Sequence, residues 1–390
     1  MIASEAFVYY APGDVRRGTL SLECGPEEML VKVILCARCG TDRTIFQKGH
    51  PAVDAHAPIV LGHEMVGSIT EVGSKVKGLT GGLGYREGQR NPPEYLDFRS
   101  GERVIVQSRA ARYRDGVMLM TDPVDILSFY INGAYSQYVR LTPSLIRTGS
   151  VIRVADNVTD EEAVLAEPAA CALESIFATP HAVGADPEGR HICRSGILKG
   201  GRCCVIGTGA ISLIYARLAR LEGASQVVVL ARSEEKAGLV RGILKDEAET
   251  IVIPSEKTVL KERLLEITRG RLFDDVVAAC SDPEAQRLML ELYSPEGYAV
   301  GACFGGTRAR VDNVNMDLHH YRIAKTVGTS GCSTRTLCTV VRRLTEGRLS
   351  LKGFLDPRPF GLDDDPSDFF LSNGNGLRPV LDPWKIGRRP

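Results

Sequence analysis

The chain is expected to be an α/β protein in two parts, a β-rich first portion followed by a doubly wound parallel sheet. Three observations carry this expectation. Short apolar stretches separated by Gly, Pro and Asp turns fill the first 150 residues. From about Lys199 onward, strand-like and helix-like segments alternate. At the head of that alternation, Val205-Ile206-Gly207-Thr208-Gly209-Ala210-Ile211-Ser212 reads as a strand, a glycine turn and a helix start. A length of 390 residues allows two domains with full cores.

In the first portion, residues 29–35, 65–69, 103–106 and 136–141 are predicted strands. Cys39 follows the first of them, at the start of a loop or helix. In the second portion the strand 203–206 leads to a helix over 210–221, with Ile211, Ile214, Leu218 and Leu221 on one face and Gly223 as its C-cap. Further strands are predicted at 226–230, 250–253, 275–279 and 298–303, and helices at 234–244, 260–268 and 283–293. Such alternation argues for a parallel sheet covered on both faces. Beyond residue 328 come a helix at 335–346 and a turn-rich tail containing Asp363-Asp364-Asp365 and Ser372-Asn373-Gly374-Asn375-Gly376. No internal repeat or sizeable low-complexity segment is visible.

Lys+Arg and Asp+Glu each number 48, so the formal net charge is zero and nothing suggests a nucleic-acid or membrane-surface partner. Arg109-Ala110-Ala111-Arg112-Tyr113-Arg114 is expected to be solvated surface. No apolar run approaches the roughly 18 residues that span a bilayer, and Met1-Ile2-Ala3-Ser4-Glu5 does not open a secretory signal. The eleven cysteines are odd in number and scattered, which reads as reduced thiols in a cytoplasm, one of them recruited by a metal. Cys203, Cys204, Cys280 and Cys303 lie in apolar strand-like runs and are expected to be small core residues.

The chemistry-bearing residues stand in three short phrases: Cys39-Gly40-Thr41-Asp42, Gly62-His63-Glu64 and Glu167-Pro168-Ala169-Ala170-Cys171. One thiolate, one imidazole and one or two carboxylates suit a tetrahedral zinc with a position left open. A lone cysteine or histidine is more often core than ligand, and the phrasing around each member is what lifts this set. The glycine turn, Gly207, Thr208, Gly209, Ala210 and Ile211, is where a dinucleotide pyrophosphate would bind. Its third glycine is replaced by Ser212, still small enough for close helix–strand packing. At the end of the next strand, where an NAD site usually carries an acid, stands Ala231. Arg232 and Ser233 follow, with Lys236 a turn beyond; these groups suit a 2′-phosphate and point to NADP(H) over NAD(H). Two alternatives stay open: Arg232 as an ordinary surface residue, and Glu234 turned toward the ribose.

These phrases resemble those of the zinc-dependent medium-chain dehydrogenases, the superfamily of alcohol, sorbitol and threonine dehydrogenases. Gly101-Glu102-Arg103-Val104, Gly133-Ala134-Tyr135-Ser136-Gln137-Tyr138-Val139 and the later His320-Tyr321-Arg322 with Val327-Gly328-Thr329 extend the match, in order, over nearly the whole chain. The resemblance implies a GroES-like catalytic domain from residues 1–178 and 330–390 and a Rossmann domain from 179–329. It implies Cys39, His63 and Glu167 as ligands of one catalytic zinc. Glu64 matches a carboxylate that binds the metal in some relatives and exchanges with water in others. Thr41 matches the hydroxyl that bonds the substrate oxygen and passes its proton on.

Three departures from that family pattern matter. No cysteine lies between Thr41 and Ala170, so the structural zinc lobe of many relatives is expected to be absent. The usual relay histidine is replaced by Thr44. Segments 80–100 and 179–196 look inserted, and the second holds His181 and His191, read as loop histidines. The implied activity is interconversion of a secondary alcohol of polyol, cyclitol or sugar type and its ketone with NADP(H), in a homo-dimer or homo-tetramer. The alternatives are an amino alcohol such as threonine, or a simple alcohol, with NAD(H); a zinc-free quinone or enoyl reductase, against which Cys39 and His63 speak; and a non-catalytic dinucleotide sensor.

Overall fold

The computed structural model describes residues 1–78, 97–110, 112–114, 117–119, 125–254, 256–303 and 314–385. The chain divides into two compact units, Met1–Pro168 with Ser333–Pro390, and Ala169–Cys332. From sequence the divisions are expected at 178/179 and 329/330.

In the first unit, β1 (Ile2–Ala11) and β2 (Asp14–Leu22) form an antiparallel hairpin. Next come β3 (Met29–Ala37), helix α1 (Gly40–Lys48), the short β4 (Ile59–Val60), which pairs with β1, and β5 (Glu64–Val72). With β6 (Arg103–Val106), β7 (Tyr138–Leu141) and β8 (Val151–Arg153) they make a sheet of order β7-β3-β5-β6-β8, antiparallel throughout. A C-terminal strand, Val380–Leu381, pairs with β3 at Ala37 and Cys36. The core is large and aromatic, with Phe7, Tyr9, Phe46, Tyr135, Phe369 and Phe370 all buried. Here the tail is part of the core: Phe370 stacks on Phe46 with ring centroids 5.2 Å apart.

Helix α2 (Ala166–Phe177) carries the chain from one unit into the next. The second unit opens with a hairpin of β9 (Pro180–Ala185) and β10 (His191–Ser195). The alternating run is β11 (Arg202–Ile206), α3 (Ala210–Leu221), β12 (Gln226–Ala231), α4 (Glu234–Leu244), β13 (Glu249–Val252), α5 (Lys257–Ile267), β14 (Asp275–Ala278), α6 (Pro283–Glu291), β15 (Val300–Cys303) and β16 (Lys325–Gly328). Its six strands are all parallel in the order β13-β12-β11-β14-β15-β16. That is the doubly wound order, and its crevice opens at the C-terminal ends of β11 and β14, where the strand order reverses. Ser212, fully buried on α3, donates to Ala279 O at 3.2 Å just past β14, so the serine in place of the third glycine finds an acceptor there.

Several expectations need correction. The 179–196 insertion is a β-hairpin, and His181 is not a loop histidine. It is buried, with Nε2 2.8 Å from Asp275 Oδ1, while Asp275 Oδ2 accepts from Leu198 N at 3.1 Å. β10 is exposed along its whole length, so no apolar alternation marked the hairpin. His191 is exposed and meets Tyr298 edge-on. Helix α3 is capped by Glu222, with Gly223 following at φ 111°. Cys203 and Cys204 are fully buried, whereas Cys280 and Cys303 are only half-buried. Residues 79–96 of the expected 80–100 insertion lie outside the described residues, as do the side chains of Arg112, Tyr113 and Arg114. Among the described residues no helix is long and apolar enough to cross a membrane.

Removing one member of a buried pair strands the other. His181→Ala is expected to destabilise the protein by about 3 kcal/mol, the low end of the usual range because Asp275 keeps the Leu198 N–H. Urea unfolding of the two proteins measures it.

Candidate active site

Cys39 stands at the N-cap of α1, and the helix folds Asp42 back beneath it, so that Cys39 N donates to Asp42 Oδ2 at 3.1 Å. Asp42 is fully buried. Its Oδ2 also accepts from Tyr135 Oη at 2.6 Å, and its Oδ1 faces His63 Nδ1 at 3.5 Å. His63 follows Gly62, whose φ of 96° suits glycine. A Cβ at Gly62 would lie 2.7 Å from the Tyr135 ring. Glu64 starts β5 on the other side.

The outcome is that Cys39, His63 and Glu64 bring one ligand atom each to within 4.8 Å of one another. Glu167 is buried at the second position of α2 and is not one of that trio. Its charge nonetheless acts on the same neighbourhood through Arg378. Burial opposes the Arg378 guanidinium, but Glu64, then Cys39 and finally Glu167 hold its pKa above the ordinary arginine value. Arg378 Nε donates to Glu64 Oε2 at 2.8 Å and Nη2 to Oε1, a two-pronged pair with the carboxylate. Glu64 is therefore an ion-paired carboxylate.

Burial works against a charged His63, yet the Asp42 carboxylate and then Cys39 raise its pKa well above the usual imidazole value. Asp42 feels the opposite: burial raises it, while His63, Tyr135 and the Cys39 N–H together hold it below the ordinary value. Turning Nδ1 toward Asp42 leaves Nε2 for a metal, the arrangement that fixes the tautomer of a ligating histidine. Neither His63 Nδ1 nor Asp42 Oδ1 has a hydrogen-bond partner; the two face each other at ion-pair distance, 3.5 Å. The donor set of thiolate, imidazole and carboxylate fits zinc. Thr41 is exposed on the first turn of α1, and the Thr44 hydroxyl donates back to Gly40 O at 3.1 Å.

In the second unit, Gly207 turns at φ 128°, and a Cβ on it would meet Ser212 Oγ at 2.8 Å. Gly209 is the N-cap of α3, so Ala210 and Ile211 form its first turn and Thr208 the approach to it. Gly207 N donates to Leu230 O at 3.3 Å, which sets the glycine turn beside the end of β12. There Ala231 is fully buried. The Arg232 side chain is 85% exposed and 3.9 Å from Asp282 Oδ2. Ser233 caps α4 by accepting from Lys236 N, and Lys236 Nζ reaches Glu235. Glu234 is engaged elsewhere, accepting from Arg241 Nη1 at 2.6 Å.

Sequence reasoning missed Arg378 and the part played by Tyr135. The signal for Arg378 was a cation within the apolar run Leu377-Arg378-Pro379-Val380-Leu381, because a charge buried in such a run needs a partner.

The alcohol dehydrogenase GroES-like domain matches residues 25–84. The chain is 25% identical over 353 residues to L-threonine 3-dehydrogenase of Pyrococcus furiosus, covering 89% of this chain and 88% of that one. It is 27% identical over 225 residues to D-arabinitol dehydrogenase 1 of Uromyces fabae, covering 56% and 51%. Among solved structures, a Sinorhizobium meliloti protein described as a zinc-binding dehydrogenase bound to NADP superposes with a TM-score of 0.75. That pair is 18% identical and covers 98% of this chain and 100% of the other.

Fold, site and relatives together support a class: the chain is similar to the zinc-dependent medium-chain dehydrogenases, with a GroES-like and a Rossmann domain. Its relatives are named dehydrogenases, which supports an oxidoreductase of the alcohol dehydrogenase kind.

Arg378→Met leaves Glu64 buried without its cation. Stability is expected to fall by about 3–5 kcal/mol, read from denaturant titration, with Arg378→Lys falling between the two because an ammonium cannot bridge both oxygens.

Proposed function

We propose that this protein interconverts a secondary alcohol of polyol, cyclitol or sugar type and its ketone, with one catalytic zinc and NADP(H). The observation that carries the reading is the convergence of the Cys39, His63 and Glu64 ligand atoms above a buried Asp42. In this reading Cys39, His63 and Glu167 hold the zinc, and Glu64 is a carboxylate at the edge of its shell whose charge Arg378 balances. The Uromyces fabae arabinitol enzyme, a polyol dehydrogenase by name, supports the polyol leaning. An amino alcohol such as threonine is the second reading, favoured by the relative that covers 89% of the chain.

Bound zinc supplies a Lewis acid that makes an alcohol hydroxyl easier to ionise, and the nicotinamide supplies the hydride acceptor. The chain's own groups do the rest. Asp42 holds a proton on His63 Nδ1 and so fixes which nitrogen serves as ligand. Thr41 takes the substrate proton on its hydroxyl and hands it to water at the exposed start of α1. Thr44, committed to Gly40 O, stays out of that path. The glycine turn with Thr208, Ala210 and Ile211 receives the pyrophosphate at the N-terminus of α3. Arg232, with Ser233 and Lys236, receives the 2′-phosphate. The Arg232 guanidinium is exposed and only loosely held, and the acid that competes in this argument, Glu234, is tied to Arg241. Eleven free thiols suit a reducing cytoplasm, and a homo-dimer or homo-tetramer is the assembly we favour.

Metal-replete protein is expected to contain one zinc per subunit by elemental analysis. Cys39→Ser and His63→Ala should lose metal and turnover together, whereas Thr41→Ala should keep its zinc and lose rate. Near wild-type kcat in either ligand variant would exclude zinc as the Lewis acid.

Cofactor choice is read from kcat/KM with NADP(H) and NAD(H). A charge-assisted hydrogen bond contributes roughly 1.5–3 kcal/mol, so even half of one shifts preference several-fold toward NADP(H). The double change Ala231→Asp with Arg232→Ile should reverse it. A wild type that is indifferent or prefers NAD(H) would remove the 2′-phosphate from Arg232. A panel of polyols, cyclitols, threonine and the matching ketones separates the two substrate readings.

A further inference from the structure

The Tyr135 side chain is fully buried in the first unit and touches the metal phrases at two places. Its hydroxyl lies 2.6 Å from Asp42 Oδ2 and 3.3 Å from Ala37 O. A phenol has one proton, and the shorter contact, to a carboxylate, takes it. Asp42 Oδ2 thus receives two donors, Tyr135 Oη and Cys39 N. This pins the carboxylate plane and leaves Oδ1 facing His63 Nδ1 alone, at 3.5 Å. The ring of the same tyrosine fills the space where a Cβ on Gly62 would stand, so it also sets the backbone immediately before His63. Phe369 and Phe370 hold the ring edge-on, at centroid distances of 5.0 and 5.6 Å.

We propose that Tyr135 is a positioning residue of the metal centre, acting through Asp42 on the His63 imidazole. This rests on the zinc reading above. The tyrosine reaches no ligand itself. Its hydroxyl decides which Asp42 oxygen is free for His63, and that choice sets the ring's orientation and the tautomer with which it can ligate. A tyrosine that served only to fill the core would need its ring and not its hydroxyl. The two roles separate in Tyr135→Phe, which keeps the packing against Gly62, Phe369 and Phe370 and deletes only the oxygen.

Three quantities are measured on the full-length protein: zinc affinity by competition with a chromophoric chelator, the visible spectrum of the cobalt(II)-substituted protein, and the thermal midpoint of the metal-free protein. Tyr135→Phe is expected to lower zinc affinity about tenfold and to shift the cobalt bands, a change in ligand field that loss of packing alone does not produce. In an Asp42→Asn background the same substitution should change affinity less than about twofold, because its route to His63 is already cut. Wild-type affinity and spectrum in Tyr135→Phe would overturn the inference. So would an undiminished tenfold loss in the Asp42→Asn background. A wild type that takes up no zinc at Cys39 and His63 would instead overturn the metal reading, and this inference with it. The single variant's cobalt spectrum decides the matter even if the double variant does not fold.

Discussion

A carboxylate that is 1% exposed needs a cation beside it to offset its burial, and the partner of Glu64 lies 314 residues away in the sequence. Arg378 meets both oxygens of Glu64, and the chain around it is held at several further points. Arg38 N donates to Pro379 O, Arg38 Nη2 to Ser372 O, and Trp384 Nε1 to Val33 O. Val380 and Leu381 pair with Ala37 and Cys36 at the end of β3, two and three residues before Cys39. The tail is therefore structural support for the segment that presents Cys39 and for the carboxylate beside it. Asp42 obeys the same constraint by local means: it is fully buried, and the Cys39 N–H, Tyr135 and His63 surround it.

The alternating half of the fold was legible because its signals are local. Helices 210–221 and 234–244 match α3 and α4 residue for residue, and the glycine turn stands where the strand-to-helix junction predicts. In a parallel sheet both faces are covered, so each strand reads as a short apolar run bounded by turns. The β9–β10 hairpin escaped because exposed strands carry no apolar alternation, and its one buried histidine is recognisable only through Asp275, 94 positions later. β16 escaped for a related reason: Lys325 and Thr326 interrupt what would otherwise be an apolar run.

Within the site, the phrases around Cys39 and His63 identified residues that fold together, because each phrase fixes its own turn or cap. Glu64 illustrates the limit of that reasoning. Its neighbours in sequence say nothing of Arg378, so its pairing could be anticipated only as a need and not as a particular residue. Tyr135 shows the same limit from the other side. Its motif was visible, but the tyrosine's hydroxyl acquires meaning only once Asp42 is seen beneath it.

The division of the first unit into two chain segments bears on how the protein is made. Cys39, His63 and Glu64 leave the ribosome early, while Arg378 follows Glu64 by 314 residues, a delay of roughly 15–60 s at ordinary rates of synthesis. The second unit, continuous from Ala169 to Cys332, is also synthesised before then. Throughout that interval the nascent first unit carries a thiol, an imidazole and an unneutralised carboxylate with neither the counter-charge of Arg378 nor the ring contacts of Phe369 and Phe370. The vectorial order of synthesis thus leaves completion of the Cys39, His63 and Glu64 cluster for last.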